Sequence, residues 1–303
     1  MLGLLLINKP QNITSYGAVA RVKRITGEKR VGHTGTLDPM ATGVLPVLVG
    51  RATALSAFLI DADKAYTARI KLGVTTDTCD ITGEVISEKT VSVTDQEIKI
   101  AVSSLVGEIE QTPPAYSAIK VGGERLYKLA REGKEVEIPS RKITVYSAEI
   151  ISPLDENNEF SVRFKVSKGT YIRSLARDIG EKLGCGATLS ALCRIKTCGF
   201  DISQCVSLDE LTPDNLEQYI LSPDCAVGYM PEVSVTEKQA ARFSNGGQLG
   251  FERLKGIIPQ NGKMYRVKCG GELIGIGECD CEKQELAVKC VIKLPEKGET
   301  PNG

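Results

Sequence analysis

The stretch GHTGTLDPMATGVLPVLVG, residues 32–50, surrounds one acid, Asp38, with glycines, two prolines and the only histidine of the chain, His33. Pro39 disfavours the α region for the residue before it, so Asp38 is predicted to lie on an extended loop. A single Asp in such a loop most often forms a turn or a cap. It can instead be a nucleophile that attacks an electrophilic carbon, if it stays ionised in a partly buried site. An arginine beside it would lower its pKa and orient it.

The composition describes a globular chain whose charge is balanced overall but uneven along its length. Of the 303 residues, 42% are apolar, and 38 basic residues match 38 acidic ones. A chain of this length can bury a sizeable core, and its neutral total argues against a uniformly basic nucleic-acid binder. Residues 21–30 nevertheless hold five basic side chains, whereas residues 201–230 hold six acidic and no basic ones. The basic segment predicts either a phosphate-binding patch or a solvated helix face.

Several classes of protein lack their signals here. The apolar run Leu4–Ile7 is too short for a signal peptide or a membrane span, so we expect a cytoplasmic protein without a membrane partner. The ten cysteines are irregularly spaced and only one histidine is present, so we expect free thiols and no metal site. Neither a nucleotide-binding glycine loop nor a Gly-x-Ser-x-Gly elbow occurs, so we expect no cofactor and no serine hydrolase.

Hydrophobic periodicity predicts mixed helices and strands up to about residue 200. Alternation of apolar and polar residues predicts strands at 3–8, 66–72 and 160–166, and a turn at 80–83 that begins a hairpin. Caps and helical spacing predict helices at 15–25, 53–61, behind a Thr94–Glu97 capping box, and at 172–183. In the last of these, Arg173 and Arg177 fall outside the apolar stripe, which indicates a solvated face or an anion contact. Beyond residue 230, a helix from Thr236 and three short strands predict a small β-barrel-like module.

The opening stretch, extended to GHTGTLDPMATGVLPVLVGRAT, resembles the signature of the bacterial tRNA pseudouridine-55 synthases, the TruB family. Further segments agree with that family in the same order along the chain. They are NKPQNITS at 8–15, KAYTARIKLGVTTDTCDITG at 64–83, PPAYSAIKVGGERLYKLAREG at 113–133 and VSKGTYIRSLARDIG at 166–180. One departure is Asn12, where the family commonly has Gly; Asn tolerates a left-handed turn better than other non-glycine residues. Another is the pair Ala54 and Leu55, which stands where the family usually has a lysine.

The resemblance implies an α+β fold in two domains. The first, residues 1–230, would be a pseudouridine synthase domain with a mixed, largely antiparallel central sheet flanked by helices. Residues 120–142 within it would form an RNA-gripping loop. Residues 231–296 would form a small β-barrel-like domain of the PUA type, which binds RNA, and residues 297–303 a frayed tail.

The resemblance also implies the residues of an active site. Asp38 would be the catalytic nucleophile, with Arg173 as its ionic partner. Tyr66 would stack on the target base and handle a proton, although the alternation of its strand fits a core tyrosine as well. The remaining contacts with the target uridine would come from His33, Tyr171 and Leu192.

The substrate implied is tRNA, recognised at the TΨC stem-loop. We expect the protein to act as a monomer. A uridine inside a folded arm must be flipped out, which costs a few kcal/mol of stacking that aromatic and backbone contacts have to offset. The predicted backbone contacts are basic residues, for which solvated surface charge is the competing explanation; they are Lys9, Arg21, Lys23, Arg24, Lys120, Arg125, Lys128 and Arg131.

Conversion of uridine to pseudouridine needs no redox change and no group donor, so no cofactor is expected. Asp38 can attack C1′ of the ribose, attack C6 of the base, or assist a glycal route in which Tyr66 relays a proton, and the sequence does not choose among these. Two other classes of function stay open. One is an RNA-binding or tRNA-folding factor whose chemistry is dispensable. The other is a carboxylate hydrolase, which is disfavoured because no second acid pairs recognisably with Asp38.

Overall fold

The computed structural model describes residues 1–117, 119–121, 123–126 and 137–293. Lys128, Arg131 and the predicted tail 297–303 lie outside this part of the chain, as do the side chains of Lys120 and Arg125. The predicted contacts of these residues with RNA therefore remain predictions.

A ten-stranded mixed sheet forms the centre of the molecule. Its main path runs β14-β1-β3-β12-β4-β11-β10-β7, with β2 added to β3 and β13 to β12. The strands of this sheet are β1 Gly3–Lys9, β2 Val31–His33, β3 Thr42–Val49, β4 Lys64–Leu72, β7 Gly107–Gln111, β10 Arg141–Ser152, β11 Glu159–Val166, β12 Ala187–Thr197, β13 Phe200–Asp201 and β14 Val206–Ser207. Two hairpins lie apart from it, formed by β5 Val74–Thr76 with β6 Val85–Glu88 and by β8 Lys120–Val121 with β9 Glu124–Arg125.

The sheet consists of two halves joined by a short seam. Every pairing within the path is antiparallel except β1 with β14 and β3 with β12. The β3–β12 pairing has only two register pairs, Thr42 with Cys193 and Gly43 with Arg194. The predicted fold class, a mixed and largely antiparallel sheet with flanking helices, is confirmed.

Helices cover one face of this sheet, and several of them begin at predicted caps. Among the described residues the helices are α1 Ser15–Thr26, α2 Asp95–Ser103, α3 Ile172–Lys182, α4 Leu216–Tyr219 and α5 Glu237–Ser244, the last of which packs with the C-terminal sheet instead. Thr14 caps α1 by accepting a hydrogen bond from the Gly17 N–H, and Gly27 ends it in the left-handed conformation. The capping box of Thr94 and Glu97 is present in α2. The helix predicted at 53–61 is wrong in type and bounds, because Gly50–Phe58 forms a 3₁₀ helix.

Strands β1 and β3 are apolar along their length because both of their faces are buried. Leu5 and Ile7 pack into the cluster beneath the helices, whereas Leu4 and Leu6 point to the opposite face. There they meet Ile276 and other apolar residues of the C-terminal region in a shared cluster. Successive residues of these strands thus pack into two different apolar clusters, as expected for strands that are buried on both faces.

A second, five-stranded sheet follows at the C-terminus, in the order β15-β17-β18-β19-β16. Its strands are β15 Glu232–Ser234, β16 Leu249–Gly250, β17 Met264–Cys269, β18 Glu272–Asp280 and β19 Glu285–Val291. Together with α5 it encloses a separate apolar cluster around Phe243 and Val267. Within the described residues, no helix combines the length and the apolar character that crossing a membrane requires.

Candidate active site

An open cavity of about 480 Å³ lies where the loop after β2 meets the central strands and the start of α3. It includes five of the six residues predicted to form the active site, which are Asp38, Tyr66, Tyr171, Arg173 and Leu192. Its other charged lining residues are all basic, namely Lys64, Arg141 and Arg194. Four cations and one carboxylate therefore face this cavity, which gives it a field that attracts anions.

The loop that carries Asp38 is held in place from both sides. The Ser15 hydroxyl donates to the Leu37 carbonyl at 3.0 Å and accepts from the Leu37 N–H at 2.8 Å, so α1 fixes the residue before Asp38. Beyond it, the Ala41 N–H donates to the Asp38 carbonyl at 3.0 Å and the Asn12 N–H to the Pro39 carbonyl at 2.8 Å. The loop is thus ordered by backbone contacts that leave the carboxylate of Asp38 free to face the cavity.

Arg173 is the ionic partner of Asp38, as predicted. Its Nε lies 3.0 Å from Asp38 Oδ2, yet that N–H makes no hydrogen bond of adequate angle, so Arg173 acts on Asp38 mainly through its charge. The two Nη atoms donate to the backbone carbonyls of Thr78 and Tyr116 at 3.0 and 3.1 Å. Arg173 is only 5% exposed, so the alternative of a solvated helix face is wrong for this residue.

A second carboxylate, Asp80, braces Arg173 from behind. Asp80 Oδ2 lies 3.3 Å from Arg173 Nη1, and Asp80 is buried. Its Oδ1 accepts hydrogen bonds from the Thr78 hydroxyl and from the N–H and hydroxyl of Thr82, at 2.5 to 3.0 Å. The turn predicted at 80–83 therefore also contributes a buried acid that fixes the guanidinium.

The net effect of these surroundings on Asp38 differs from our expectation. Burial raises the pKa of Asp38 above its ordinary value, the charge of Arg173 opposes that rise, and the nearby Asp80 carboxylate adds to it. Arg173 lowers the pKa of Asp38, as predicted, but the combined effect of all the surrounding groups and of burial raises it. A carboxylate with this balance is less well solvated than a surface acid, which makes it a better nucleophile.

Tyr66 and Leu192 lie side by side on neighbouring strands. Tyr66 is on β4 and is buried, and Leu192, on β12, faces the same cavity. Directly opposite Tyr66 in the β4–β12 register is Arg194, whose charge opposes the rise that burial causes in the pKa of Tyr66. Tyr66 therefore packs in the core on one side and faces the cavity on the other. The interpretation as a core tyrosine and the interpretation as a site residue are thus compatible.

Tyr171 immediately precedes α3, and its backbone is clamped by a buried glutamine. The Gln111 amide donates to the Tyr171 carbonyl at 3.0 Å and accepts from the Tyr171 N–H at 2.8 Å. The guanidinium of Arg141 lies over the Tyr171 ring, 4.7 Å from its centre, and Arg141 also donates to the Gly169 carbonyl. These contacts fix the first turn of the helix that carries Arg173.

His33 lies just outside the cavity lining, next to Thr34. Its Nδ1 accepts a hydrogen bond from the Gly35 N–H at 3.3 Å. Burial, followed by the charge of Arg194, lowers the pKa of His33, so it is neutral at pH 7. An acceptor at Nδ1 leaves the Nε2 position to carry the ring proton.

The predicted basic contacts divide into buried and surface residues. Lys9 is wrong as an RNA-backbone contact, because it is fully buried and donates to the carbonyls of Pro10, Ile13 and Pro39 at 2.7 to 3.3 Å. Burial lowers its pKa to about 8. Arg21 pairs with Asp209 at 2.5 Å on the surface. The surface residues Arg21, Lys23 and Arg24 remain predicted contacts.

Several cavity residues escaped the sequence analysis, and some of them carried a usable signal. Arg194 stands two positions after Leu192, so strand alternation alone predicts that both point to one face. Lys64 is likewise two positions before Tyr66 on β4. Gln111, which holds the backbone of Tyr171 but does not line the cavity, gave no such signal, because its partner lies 60 residues away.

All ten cysteines are free thiols. Among the residues that the structure describes, no group of three or more His, Cys, Asp or Glu side chains is arranged to hold a metal ion.

Comparison with known proteins gives the family. Residues 23–172 match the model of the N-terminal domain of the TruB family pseudouridylate synthases, and residues 173–222 match the tRNA pseudouridylate synthase B C-terminal domain. The chain is 44% identical over 280 residues to the tRNA pseudouridine synthase B of Azoarcus sp. (strain BH72), covering 91% of this chain and 90% of that protein. The enzyme of the same name from Clostridium kluyveri is 44% identical over 279 residues, covering 91% and 94%.

Solved structures agree with this fold. A chain of a Cbf5-Nop10-Gar1 complex is 26% identical with a TM-score of 0.74, covering 97% of this chain and 85% of that one. A chain of an H/ACA RNP bound to a substrate RNA containing 2′-deoxyuridine has a TM-score of 0.72 at 24% identity, covering 97% and 86%. The fold and the site therefore define a pseudouridylate synthase, an isomerase that acts on uridines in RNA. More narrowly, the chain belongs to the tRNA pseudouridine synthase B family, the TruB family, whose members modify tRNA.

Proposed function

We propose that this isomerase converts uridine 55 in the TΨC arm of tRNA to pseudouridine, with Asp38 as its nucleophile. The observation that carries the proposal is the pairing of Asp38 with Arg173 on the wall of a cavity that Tyr66 and Leu192 also line. A single carboxylate, a fixed cation and an aromatic ring are the groups that attack on a flipped nucleotide needs.

The shape and charge of the cavity favour a nucleotide as its occupant. Its volume of about 480 Å³ lies within the range of small-ligand sites. Lys64, Arg141 and Arg194 add positive charge that suits the phosphates on either side of a flipped base. Tyr66 and Tyr171 offer ring surfaces on which the base can stack in place of its neighbours in the RNA.

The reaction breaks the N1–C1′ bond, turns the uracil and rejoins it through C5. Asp38 takes part either by bonding to C1′, by adding to C6, or by assisting a glycal route, and each route ends with loss of the C5 proton and gain of a proton at N1. Because no electron acceptor or group donor enters, the proposal includes no cofactor. It also includes residues 231–296 and the loop at 120–142 as further RNA contacts, a monomeric enzyme, and the cytoplasm as its place of work.

One assay tests the proposed reaction. The protein is incubated with unmodified tRNA transcript that carries tritium at uracil C5, and tritium release is measured while the modified position is mapped. We expect release that matches one pseudouridine at position 55. RNA binding without release would leave only an RNA-binding or tRNA-folding role, and a product at another position would correct the substrate.

Replacing Asp38 by Asn tests the nucleophile. Asp38→Asn keeps the shape and removes the charge, so we expect turnover to be abolished while tRNA affinity stays within about tenfold of the parent. Filter binding and single-turnover tritium release measure the two effects separately. Asp214→Asn, at an exposed position, is the matched control. Equal turnover by the Asp38 variant and the parent would remove Asp38 from the mechanism.

A further inference from the structure

Ser117 is buried in the cavity wall, and its hydroxyl has no hydrogen-bond partner among the residues that the structure describes. The residue is only 4% exposed. In the described part of the chain, four buried side-chain nitrogen or oxygen atoms lack a hydrogen bond, and they belong to Arg51, Ser117, Arg141 and Arg173. The last three of these residues all line the cavity that contains Asp38. Unpaired polar atoms are therefore concentrated where a ligand would bind.

Ser117 differs from the two arginines because its hydroxyl is the only polar group of its side chain. Arg173 keeps its contacts with Asp38 and with two backbone carbonyls, and Arg141 donates to the Gly169 carbonyl. Nothing comparable compensates the hydroxyl of Ser117. A buried hydroxyl without a partner is unfavourable to the fold, and such groups are rare in native proteins. Its position on a cavity wall indicates that the missing partner is supplied by the molecule that enters the cavity.

The backbone that leads to Ser117 is attached to α3. The Tyr116 carbonyl, one residue earlier, accepts a hydrogen bond from Arg173 Nη2 at 3.1 Å. The Thr112 carbonyl accepts from the Ser174 hydroxyl at 2.9 Å. Because the same guanidinium lies beside Asp38, the serine is held next to the proposed nucleophile and its ionic partner.

Two prolines further limit the movement of this segment. Pro113 and Pro114 are both buried, and the ring of each fixes its φ angle. Ser117 is thus placed by its surroundings before any ligand is present. A group that is already ordered loses little conformational entropy when it forms a contact, so the unpaired hydroxyl is well suited to bind.

The chemistry of the hydroxyl suits the base of the nucleotide better than its phosphates. The phosphates on either side of a flipped nucleotide carry full negative charge, for which Lys64, Arg141 and Arg194 are the stronger partners. The two carbonyl oxygens of uracil are neutral acceptors, and a serine hydroxyl is a neutral donor. Ser117 is also deeply buried, where the base of a flipped nucleotide lies, whereas its backbone stays at the mouth of the cavity.

We propose that Ser117 is a substrate-binding residue whose hydroxyl donates a hydrogen bond to a ring carbonyl of the target uracil, both before and after the base turns. This inference rests on the proposed function. The turn brings C5 to the place of N1, about the axis through N3 and C6, and it therefore also exchanges the carbonyl groups at C2 and C4. A donor that meets one carbonyl in uridine meets the other in pseudouridine. One fixed hydroxyl can thus hold the base at both ends of the reaction.

The first test is the variant Ser117→Ala, with Ser103→Ala at an exposed position as the control. We expect single-turnover formation of pseudouridine to slow about tenfold, the effect of one lost hydrogen bond. Affinity for tRNA is expected to stay within about threefold, because phosphate contacts dominate it. The midpoint of urea unfolding should be unchanged or higher, because the free protein loses no hydrogen bond. Ser174→Ala, which does lose one, should unfold at lower urea.

The second test changes the acceptor. Transcripts carry 2-thiouridine or 4-thiouridine at position 55, because sulfur is a weaker acceptor than oxygen. The product is measured by nucleoside chromatography after digestion. We expect at least one thio substitution to slow the parent more than it slows Ser117→Ala, since the variant has no hydroxyl left to lose its acceptor. Equal slowing of both proteins by both substitutions would overturn the proposal.

Two further outcomes would also overturn it. One is an undiminished rate in Ser117→Ala, and the other is a loss of stability like that of Ser174→Ala, which would show that the hydroxyl is paired within the fold. If Ser117→Ala does not fold, Ser117→Cys, which is of similar size but a weaker donor, decides by the same thio comparison. A parent that forms no product on unmodified tRNA would instead count against the proposed function, while the unfolding comparison would still report whether the hydroxyl is unpaired.

Discussion

Asp38 illustrates how far a single residue can be understood from its neighbours in the sequence. The loop of glycines and prolines predicted an extended conformation at Asp38, and the family pattern selected Arg173 as its partner. The direction of its pKa shift was not predictable, because burial of the carboxylate comes from segments that are distant in the chain. The sequence motif predicts which side chains lie next to each other. The desolvation of the Asp38 carboxylate depends on all the residues that surround it in the fold, and the motif does not contain these.

The raised pKa of Asp38 has a consequence for stability. Between the ordinary pKa of Asp and the raised value, the folded protein binds more protons than the unfolded chain, so rising pH lowers the free energy of unfolding. The Asp38→Asn variant has no carboxyl group at this position, so its stability does not change with pH for this reason. We therefore expect the variant to gain stability relative to the parent as the pH rises above about 4, the ordinary pKa of Asp. Urea unfolding at several pH values checks this, with Asp214→Asn as the control. A gain that shrinks over this range would contradict the assigned direction.

The start of α3 shows what a helix needs beyond its own sequence. Periodicity and caps predicted the helix at 172–183 well, and it spans Ile172–Lys182. The residues that hold its first turn lie on β7 and just after it, where Gln111 clamps Tyr171 and the Thr112 carbonyl accepts from the Ser174 hydroxyl at 2.9 Å. Contacts between elements so far apart leave no local pattern, so the sequence could predict the helix but not its anchor.

Removal of this anchor should affect both folding and chemistry. Gln111→Leu leaves the N–H and carbonyl of Tyr171 without partners in a buried place, which costs about 1–3 kcal/mol of unfolding free energy. We also expect slower single-turnover tritium release, since Tyr171 and Arg173 share the loosened turn. Gln218→Leu, at an exposed position, is the control for the substitution itself. A variant as stable and active as the parent would show that the clamp is dispensable.

The two sheets of the protein share apolar packing. Leu4, Leu48 and Leu55 of the N-terminal region lie in one cluster with Leu273 and Ile276 of the C-terminal sheet. The sequence predicted a domain boundary near residue 230 and short strands beyond it. It did not predict that the two sheets share an apolar cluster. Because β1 and β3 are buried on both faces, each appears in the sequence as a continuous apolar run. Such a run does not reveal which part of the protein packs against which face of the strand.

Because the two sheets share apolar packing, a substitution that destabilises one sheet is expected to destabilise the other as well. Ile276→Ala removes buried methyl groups and is expected to cost about 2–5 kcal/mol of unfolding free energy. Hydrogen exchange of peptides from β1 and β3 should also become faster, although these strands lie in the other sheet. Ile86→Ala, at an exposed site, should change neither. Faster exchange confined to residues beyond 231 would mean that the two sheets unfold independently.

The narrow seam between β3 and β12 divides the candidate site residues between two halves of one sheet. Only two register pairs, Thr42 with Cys193 and Gly43 with Arg194, join these strands. The loop with Asp38 is attached to one side of the seam, while Tyr66, Leu192 and α3 with Arg173 belong to the other. The few contacts that cross the seam, such as the hydrogen bond from Arg194 Nε to the Val44 carbonyl at 2.8 Å, therefore set the distance between the carboxylate and the other residues of the cavity.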